Sequence, residues 1–254
     1  METILITGGN SSFAKKLYSS LKEKKIKFIF ADKTKPKLEK INNNIDFFKI
    51  DLENSKNVES VTKKILKKYN KIDYLVTYAS FRSNKKDIED ENLKNWNKTF
   101  SINLTSNFFL IKSLILNSIK KKHKCRIVNI SSISSLLISN ESPSYQISKS
   151  AINHMTRYFA SQSGKKGIFI NTILPGLIIK DEHKKKFFSN KNSKYRNIVK
   201  KTHLTNNFGT IDDVNKMIKF LLFENNNFIN GQSIVIDGGV SIEDQFATAH
   251  REFR

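Results

Sequence analysis

The stretch Ile4-Leu-Ile-Thr-Gly-Gly-Asn-Ser-Ser-Phe-Ala14 decides the fold. Three apolar residues and a threonine form a short strand candidate, small residues follow, and Phe13 opens a helical pattern that runs to Lys24. A strand that turns through small residues into a helix places backbone N–H groups and the positive end of the helix dipole at the strand's carboxyl edge. A pyrophosphate can be held there, because only small side chains let a dinucleotide approach the backbone closely. Gly8, Asn10, Ser11, Ser12 and Phe13 are the candidate contacts. Gly-Gly turns between strand and helix are common, so this segment takes its meaning from its surroundings.

Outward from it, short apolar runs alternate with longer helical patterns. The strand candidates are Ile4–Thr7, Lys27–Ala31, Phe47–Ile50, Tyr74–Ala79, Arg126–Ser131, Ile168–Leu174 and Ser233–Asp237; helical patterns cover Phe13–Lys24, Ser55–Tyr69, Leu93–Lys122, Tyr145–Ser163 and Ile211–Phe223. Such alternation predicts βαβ units, and nearly continuous apolar strands predict helices on both faces. The expected fold is α/β: a Rossmann-type doubly wound parallel sheet of about seven strands in a single domain spanning residues 1–254. The apolar stripe of Leu93–Lys122 (Phe100, Leu104, Phe108, Ile111, Ile115) reads as core, part of it available to a subunit interface. Two segments break the rhythm. Residues 177–207 are dense in Lys and read either as a solvated insertion or as a substrate-covering lid. The tail Val240–Arg254 has no strong pattern and is expected to pack on a neighbouring subunit or to fray.

A net charge of +22 invites a nucleic-acid reading. However, only six of the 45 basic residues are Arg, the residue whose fork reads guanine and phosphate, and the Lys are spread along the whole chain. No specific nucleic-acid partner is expected; a positive field that concentrates anionic small molecules is. One cysteine, Cys125, cannot form an internal disulfide and reads as a small buried hydrophobe. The chain enters a strand pattern from Met1 without a signal or membrane segment, so a cytoplasmic protein with no membrane partner is expected. The five histidines show no metal-ligand spacing and read as surface or loop residues, so no metal is expected. Trp96 and Tyr78 read as packing residues, and Lys120–Lys124 as a cationic helix C-terminus.

The second strand candidate is followed by Asp32, 24 residues after Gly8. An acid there accepts hydrogen bonds from the adenosine ribose and repels a 2′-phosphate, which favours NAD; Lys33 and Lys35 keep NADP open. Towards the other end, Tyr145 and Lys149 lie four apart on a predicted helix and share a face. Ser132 closes the fifth strand, 13 residues before Tyr145. A hydroxyl that polarises a carbonyl or alcohol oxygen, a phenol that donates or accepts a proton, and an ammonium that favours the phenolate are the parts a hydride transfer requires.

With these residues in order, the chain resembles the short-chain dehydrogenase/reductase family in its shorter single-domain form. The resemblance rests on Thr7-Gly8, Asp51-Leu52, Asn103 in Ser-Ile-Asn-Leu, Arg126-Ile-Val-Asn-Ile-Ser-Ser132, Tyr145-Gln-Ile-Ser-Lys149, Asn171-Thr-Ile-Leu-Pro-Gly176 and Asn230-Gly-Gln-Ser-Ile-Val-Ile-Asp-Gly-Gly239, and covers nearly the whole length. It implies that Tyr145 is the catalytic acid/base and Ser132 the partner of the substrate oxygen. It further implies that Lys149 grips the nicotinamide ribose, that Asn103 holds a relay water, and that Asp51 and Leu52 border the adenine. Ala79, Pro175, Gly176 and Ile178 complete the cofactor set, and a homodimer or homotetramer through Leu93–Lys122 and Tyr145–Ser163 is implied.

The chain departs from the family's pattern in three places. Ser12 and Ala14 replace the second and third glycines of the loop, Thr77-Tyr-Ala-Ser80 stands for Asn-Asn-Ala-Gly, and Lys180 stands where a Thr is usual. Bulky Tyr78 is expected to crowd or reshape the cofactor's far side. The expected function is an NAD(P)-dependent oxidoreductase acting on a carbonyl/alcohol substrate, an anionic or nucleotide-linked sugar or a carrier-bound acyl ketone among the candidates. The alternative is a non-catalytic cofactor-binding or assembly subunit.

Overall fold

Side-chain parity along the first strand sets up two cores. Ile4 and Ile6 turn to one face of the sheet and Leu5 to the other, and all three are fully buried. The computed structural model describes residues 1–38, 44–84 and 87–252. Its strands are β1 (Glu2–Thr7), β2 (Ile26–Asp32), β3 (Ile45–Lys49), β4 (Tyr74–Thr77), β5 (Cys125–Ile130), β6 (Ile168–Pro175), β7 (Ile178–Ile179), β8 (Gly209–Thr210) and β9 (Ser233–Ile236). Its helices are α1 (Ser12–Leu21), α2 (Ser55–Tyr69), α3 (Leu93–Phe100), α4 (Ser106–Lys120), α5 (Pro143–Ser163), α6 (Asp181–Phe187), α7 (Ser193–Thr202), α8 (Ile211–Phe223) and α9 (Gln245–Glu252). Seven strands form one parallel sheet in the order β3-β2-β1-β4-β5-β6-β9. This is the Rossmann-type sheet expected from the sequence.

Helices α1 and α8 cover the face that carries Phe28, Phe30, Tyr74 and Val76; the helices α2, α4 and α5 cover the face that carries Leu5, Ile29, Leu75 and Ile127. Aromatic side chains fill much of the first core. Phe28 and Phe30 lie nearly parallel, and Tyr18 meets Phe28 edge-on at 5.0 Å between ring centres. Burying each such ring stabilises the fold by roughly 1.5–3 kcal/mol.

The expected helix Leu93–Lys122 is interrupted. A π turn at Ser101–Thr105 separates α3 from α4, and the chain leaves the helix at Lys121, before Lys122 takes φ +49°. The cause is polar side chains that bond backbone carbonyls within the segment. Ser106 donates to the Ile102 carbonyl (2.8 Å) and Asn107 to that of Asn103 (2.8 Å). Among the described residues, Leu93–Lys120 is a helical stretch long and apolar enough to cross a membrane by length and composition; here α3 packs against α5 and α4 against α2.

Residues 177–207 are largely helical: α6 and α7 stand on the small β7–β8 pair, which anchors their base. The tail forms α9 and folds back on α7 of its own chain, where Arg251 pairs with Glu243 at 2.6 Å and donates to the Lys201 carbonyl at 2.8 Å. Two histidines also depart from expectation. His203 is buried, with Nδ1 2.6 Å from the Val199 carbonyl, and His123 is mostly buried 3.1 Å from Asp73. Cys125 opens β5 fully buried, and burial pushes its thiol pKa up.

Candidate active site

At the carboxyl edge of the sheet, β1 is flanked by β2 on one side and β4 on the other, with crossovers leaving in opposite directions. Strand ends separate at such a switch point and leave a crevice. The cleft there encloses about 280 Å³ and is lined by Gly8, Ser11, Asp32, Leu52, Ala79 and neighbouring residues. Gly8 takes φ +68°, and a Cβ on it would lie 2.5 Å from the Ala79 nitrogen, so the turn accepts glycine alone. Ser11 caps α1, accepting the Ala14 N–H at 3.2 Å, and the helix N-terminus faces the carboxyl edge.

Asp32 holds the second wall. Its Oδ2 accepts the Asn10 N–H (2.9 Å) and its Oδ1 the Lys33 N–H (2.6 Å), which fixes the carboxylate and leaves lone pairs for ribose hydroxyls. Lys33 itself turns to Asp51 (3.0 Å) and Glu53 (3.7 Å), and its bond to Asp51 outweighs desolvation to raise its pKa. Lys35 lines a different cleft, beside Pro36 and Leu38. Not every expected contact lines the crevice. Ser12 donates its hydroxyl to Glu182 of α6 (3.2 Å), and Phe13 lies 5.9 Å from the Tyr78 ring. Pro175, Gly176 and Ile178 sit across the switch point, where Gly176 donates to the Ile236 carbonyl (2.9 Å) and Ile178 pairs with Gly209. A Cβ on Gly176 would come within 2.7 Å of Asp237 Cβ.

Tyr78 also lines this cleft, but its ring turns away from it. It continues the parity of Tyr74 and Val76, so its ring enters the α1–α8 core, 8% exposed, and its hydroxyl donates to Asn215 Oδ1 at 2.6 Å. Burial drives its phenol pKa well above the ordinary value.

The proton-transfer candidates converge at the end of β5. Ser142 caps α5 with Pro143 in its first turn, and this start sets Tyr145 and Lys149 on the buried side of the helix, 4% and 2% exposed. Lys149 Nζ lies 5.5 Å from the centre of the Tyr145 ring and donates to the Ile130 carbonyl (2.9 Å). Ser131 Oγ donates to the Lys149 carbonyl (2.8 Å), and Ser132 follows, 8% exposed, its Oγ accepting the Ser134 N–H (3.1 Å). Burial, and then the charge of Arg82, push the Lys149 pKa down to about 7.

Asn103, fully buried in the π turn, is a clamp. Its Oδ1 accepts the Phe81 N–H (2.7 Å) and its Nδ2 donates to the Phe81 carbonyl (3.0 Å) and to Ser148 Oγ (3.0 Å). The sequence reading missed Arg82, whose Nη2 donates to Tyr145 Oη at 3.0 Å. A signal for it existed: it is one of six Arg in a Lys-rich chain, and it stands just past the fourth strand.

A crevice with a glycine-only turn, a capped helix N-terminus, a fixed carboxylate on its wall and a buried Tyr–Lys pair at the neighbouring strand end fits a nicotinamide dinucleotide. The chain belongs to the short-chain dehydrogenase/reductase family: residues 8–241 match the family model described as enoyl-(acyl carrier protein) reductase. It is 30% identical over 245 residues to 3-oxoacyl-[acyl-carrier-protein] reductase FabG of Buchnera aphidicola subsp. Schizaphis graminum, covering 94% of this chain and 97% of that one. Among solved structures it is similar to ElxO with NADP bound (TM-score 0.85, 28% identity, 95% and 99% covered). It is also similar to 4-hydroxyisoleucine dehydrogenase complexed with NADH (TM-score 0.83, 26% identity, 96% and 100% covered). The protein is thus an NAD(P)-dependent dehydrogenase/reductase acting on small molecules, which sets aside the non-catalytic alternative.

Proposed function

We propose that Ser132, Tyr145, Lys149 and Asn103 carry the proton transfer of a carbonyl–alcohol interconversion, in one domain spanning residues 1–254 with 177–207 as the substrate lid. The observation that carries this reading is the buried Lys149, one helical turn from Tyr145 and pinned to the Ile130 carbonyl beside Ser132. When bound, the nicotinamide supplies or accepts the hydride. Tyr145 Oη gives or takes the proton of the substrate oxygen. Ser132 Oγ turns from Ser134, 3.0 Å away, to donate to that same oxygen. Lys149, with a pKa near 7, takes up and releases a proton at neutral pH and donates to the nicotinamide ribose. Asn103 positions the loop after β4; a relay water would meet its carbonyl, which already accepts from Asn107.

Gly8, Asn10 and Ser11, with the backbone of Ser12 and Phe13 in the first turn of α1, receive the pyrophosphate, Asp51 and Leu52 border the adenine, and Ala79, Pro175, Gly176 and Ile178 flank the rest of the dinucleotide. Asp32 at the ribose, with Lys33 neutralised by Asp51 and Glu53, supports NAD over NADP. The positive field and Lys184–Lys186 on α6 support a substrate bearing a negative group. Exposed Phe109, Leu116, Ile147 and Tyr158 on α4 and α5 support a homodimer or homotetramer, to be checked by light scattering. A cytoplasmic location is part of the same reading.

The test is Tyr145→Phe against wild type over a panel of carbonyl substrates with NADH and NADPH. Turnover is expected to fall about 10²–10⁴-fold while calorimetric cofactor binding is retained. Equal rates would remove Tyr145 from the mechanism.

A further inference from the structure

Arg82 lies outside the family's proton-transfer set, yet it is the side chain in direct contact with the reacting atom of Tyr145. Its placement is built in. Asn103 grips Phe81 through both N–H and carbonyl, and the same amide bonds Ser148, whose hydroxyl donates to the Tyr145 carbonyl at 2.7 Å. The loop that carries Arg82 and the helix that carries Tyr145 are therefore tied through one buried side chain. The next residue along the loop delivers its guanidinium to the phenol: Nη2 donates to Tyr145 Oη at 3.0 Å, and the guanidinium carbon lies 4.6 Å from the ring centre. Nη1 pairs with Glu141 at 3.0 Å, a carboxylate whose side chain is 15% exposed. Two opposite edges of a rigid fork are thus held by two partners.

The cation usually credited with acting on the phenol is less suited to it here. Lys149 Nζ is engaged with the Ile130 carbonyl and lies 5.5 Å from the ring centre. Burial and then Arg82 lower its pKa to about 7, so near neutrality it is divided between charged and neutral forms. The Arg82 side chain is 56% exposed, and the desolvation it does suffer is outweighed by Tyr145 and Glu141, which raise its pKa. Near neutral pH the constant positive charge at the phenolic oxygen is that of the guanidinium.

We propose that Arg82 is a catalytic residue, whose guanidinium, hydrogen-bonded to Tyr145 Oη, stabilises the phenolate form through which the substrate proton passes. This rests on the proton-transfer role given to Tyr145 above. In the alcohol-oxidising direction the substrate O–H breaks and the Tyr145 O–H forms, while Arg82 keeps all its protons. A neutral phenol oxygen accepts Arg82 on one lone pair and still presents its own hydrogen to the substrate. Among the described residues, the charged groups around Tyr145 are Arg82 from the loop after β4 and Lys149 from its own helix. Behind them stand Glu141 and Glu91, the latter accepting the Ser144 N–H at 3.0 Å. Both carboxylates oppose the phenolate; of these four groups Arg82 is the one hydrogen-bonded to the phenolic oxygen.

The experiment is an ultraviolet tyrosinate titration of the full chain without cofactor, for wild type, Arg82→Gln and Arg82→Lys. Each is paired with a version carrying Tyr145→Phe, so that subtraction isolates Tyr145 from the other tyrosines. The Tyr145 midpoint is expected to move up by about one pH unit in Arg82→Gln, with partial return in Arg82→Lys. Glu141→Gln, which removes the opposing carboxylate, is expected to move it down and gives a second reading should Arg82→Gln fold poorly. In turnover, the rising pH limb of alcohol-oxidising kcat/KM should shift with the titration. The rate at neutral pH should then drop about ten-fold while the high-pH plateau recovers. Midpoints unmoved in both Arg82→Gln and Glu141→Gln overturn the proposal. So does an Arg82→Gln variant with both pH curves in place and KM raised for anionic substrates alone, which would make Arg82 a substrate anchor. A shifted titration in a protein that turns over no carbonyl substrate would uphold the electrostatic contact and fail the functional reading instead.

Discussion

The two ends of the ligand crevice are built from different kinds of interaction. At the β5–α5 end, Asn103, Ser132, Tyr145 and Lys149 are each less than a tenth exposed, and their partners are backbone carbonyls and N–H groups, the buried hydroxyls of Ser134 and Ser148, and the guanidinium of Arg82. At the β1–α1 end, where α6 meets the glycine loop, Ser12 bonds Glu182 and Lys16 pairs with Asp212 (2.8 Å) and Asp181 (3.9 Å), among side chains 31–51% exposed for the ion pairs. A buried polar group left without its partner costs its full desolvation, whereas an exposed pair is screened and readily re-solvated. The first end holds a geometry; the second is held only by exposed contacts that water can replace. Substitutions of equal chemical size should therefore differ greatly in consequence between the two.

The largest effect should come from Asn103→Leu. The change keeps the γ-branched shape in a somewhat larger side chain but strands the half-buried Phe81 N–H and carbonyl, and it releases the loop that holds Arg82. Urea unfolding is expected to show a loss of about 3 kcal/mol. A loss within experimental error would mean the clamp is replaceable and the contrast between the two ends is weaker than argued.

Lys149 gives the next effect, and its sign follows from the direction of its shift. Its folded pKa, about 7, lies below the ordinary lysine value of 10.5. Below pH 7 both folded and unfolded chains carry the proton, and the cost of burying the cation is fully present. Between about pH 7 and 10.5 the unfolded chain binds more protons, so stability rises with pH. Lys149→Met should flatten that rise, and the difference in Tm between variant and wild type, measured from pH 6 to 9, should favour the variant at the acid end and shrink towards the alkaline end. A pH-independent difference would show that Lys149 stays neutral or is solvated throughout.

Legibility in the sequence follows the same division. Strands covered on both faces impose nearly continuous apolar runs, so the seven-stranded sheet could be placed from residues alone, and Ser132, Tyr145 and Lys149 stand at fixed offsets from a strand end and along a helix. Contacts between elements left no such trace. The π turn arises from Asn103, Ser106 and Asn107 bonding backbone groups, which a 3.6-residue period does not register. Arg82 reaches Tyr145 across 63 positions of sequence through a loop. The helices α6, α7 and α9 are short, the first two Lys-rich, with little apolar periodicity, and packing between elements rather than local propensity fixes them. The direction of Tyr78 was available in principle, since it shares the parity of Tyr74 and Val76; its size drew attention away from its phase.

The smallest effect sharpens the comparison from the exposed end. The Glu182 carboxylate sits 3.2 Å from the Ser12 hydroxyl, beside the N-terminus of α1 where the pyrophosphate charges are expected to arrive. A like charge at that distance from the anion's seat opposes binding, but an exposed side chain can swing into water and its field is screened. Glu182→Gln should therefore tighten NADH binding only about two- to five-fold at low salt, with the gain fading as ionic strength rises past the point where the Debye length falls below about 10 Å. Ser12→Gly removes the hydroxyl tether and should give a similar small gain. Calorimetric titrations of both variants at two salt concentrations read this directly. A salt-independent gain would place Glu182 in a water-excluded contact with the cofactor, and weaker binding would make the Ser12–Glu182 contact part of the cofactor's seat; either result would move the lid from the loosely held region of the crevice into the tightly held one.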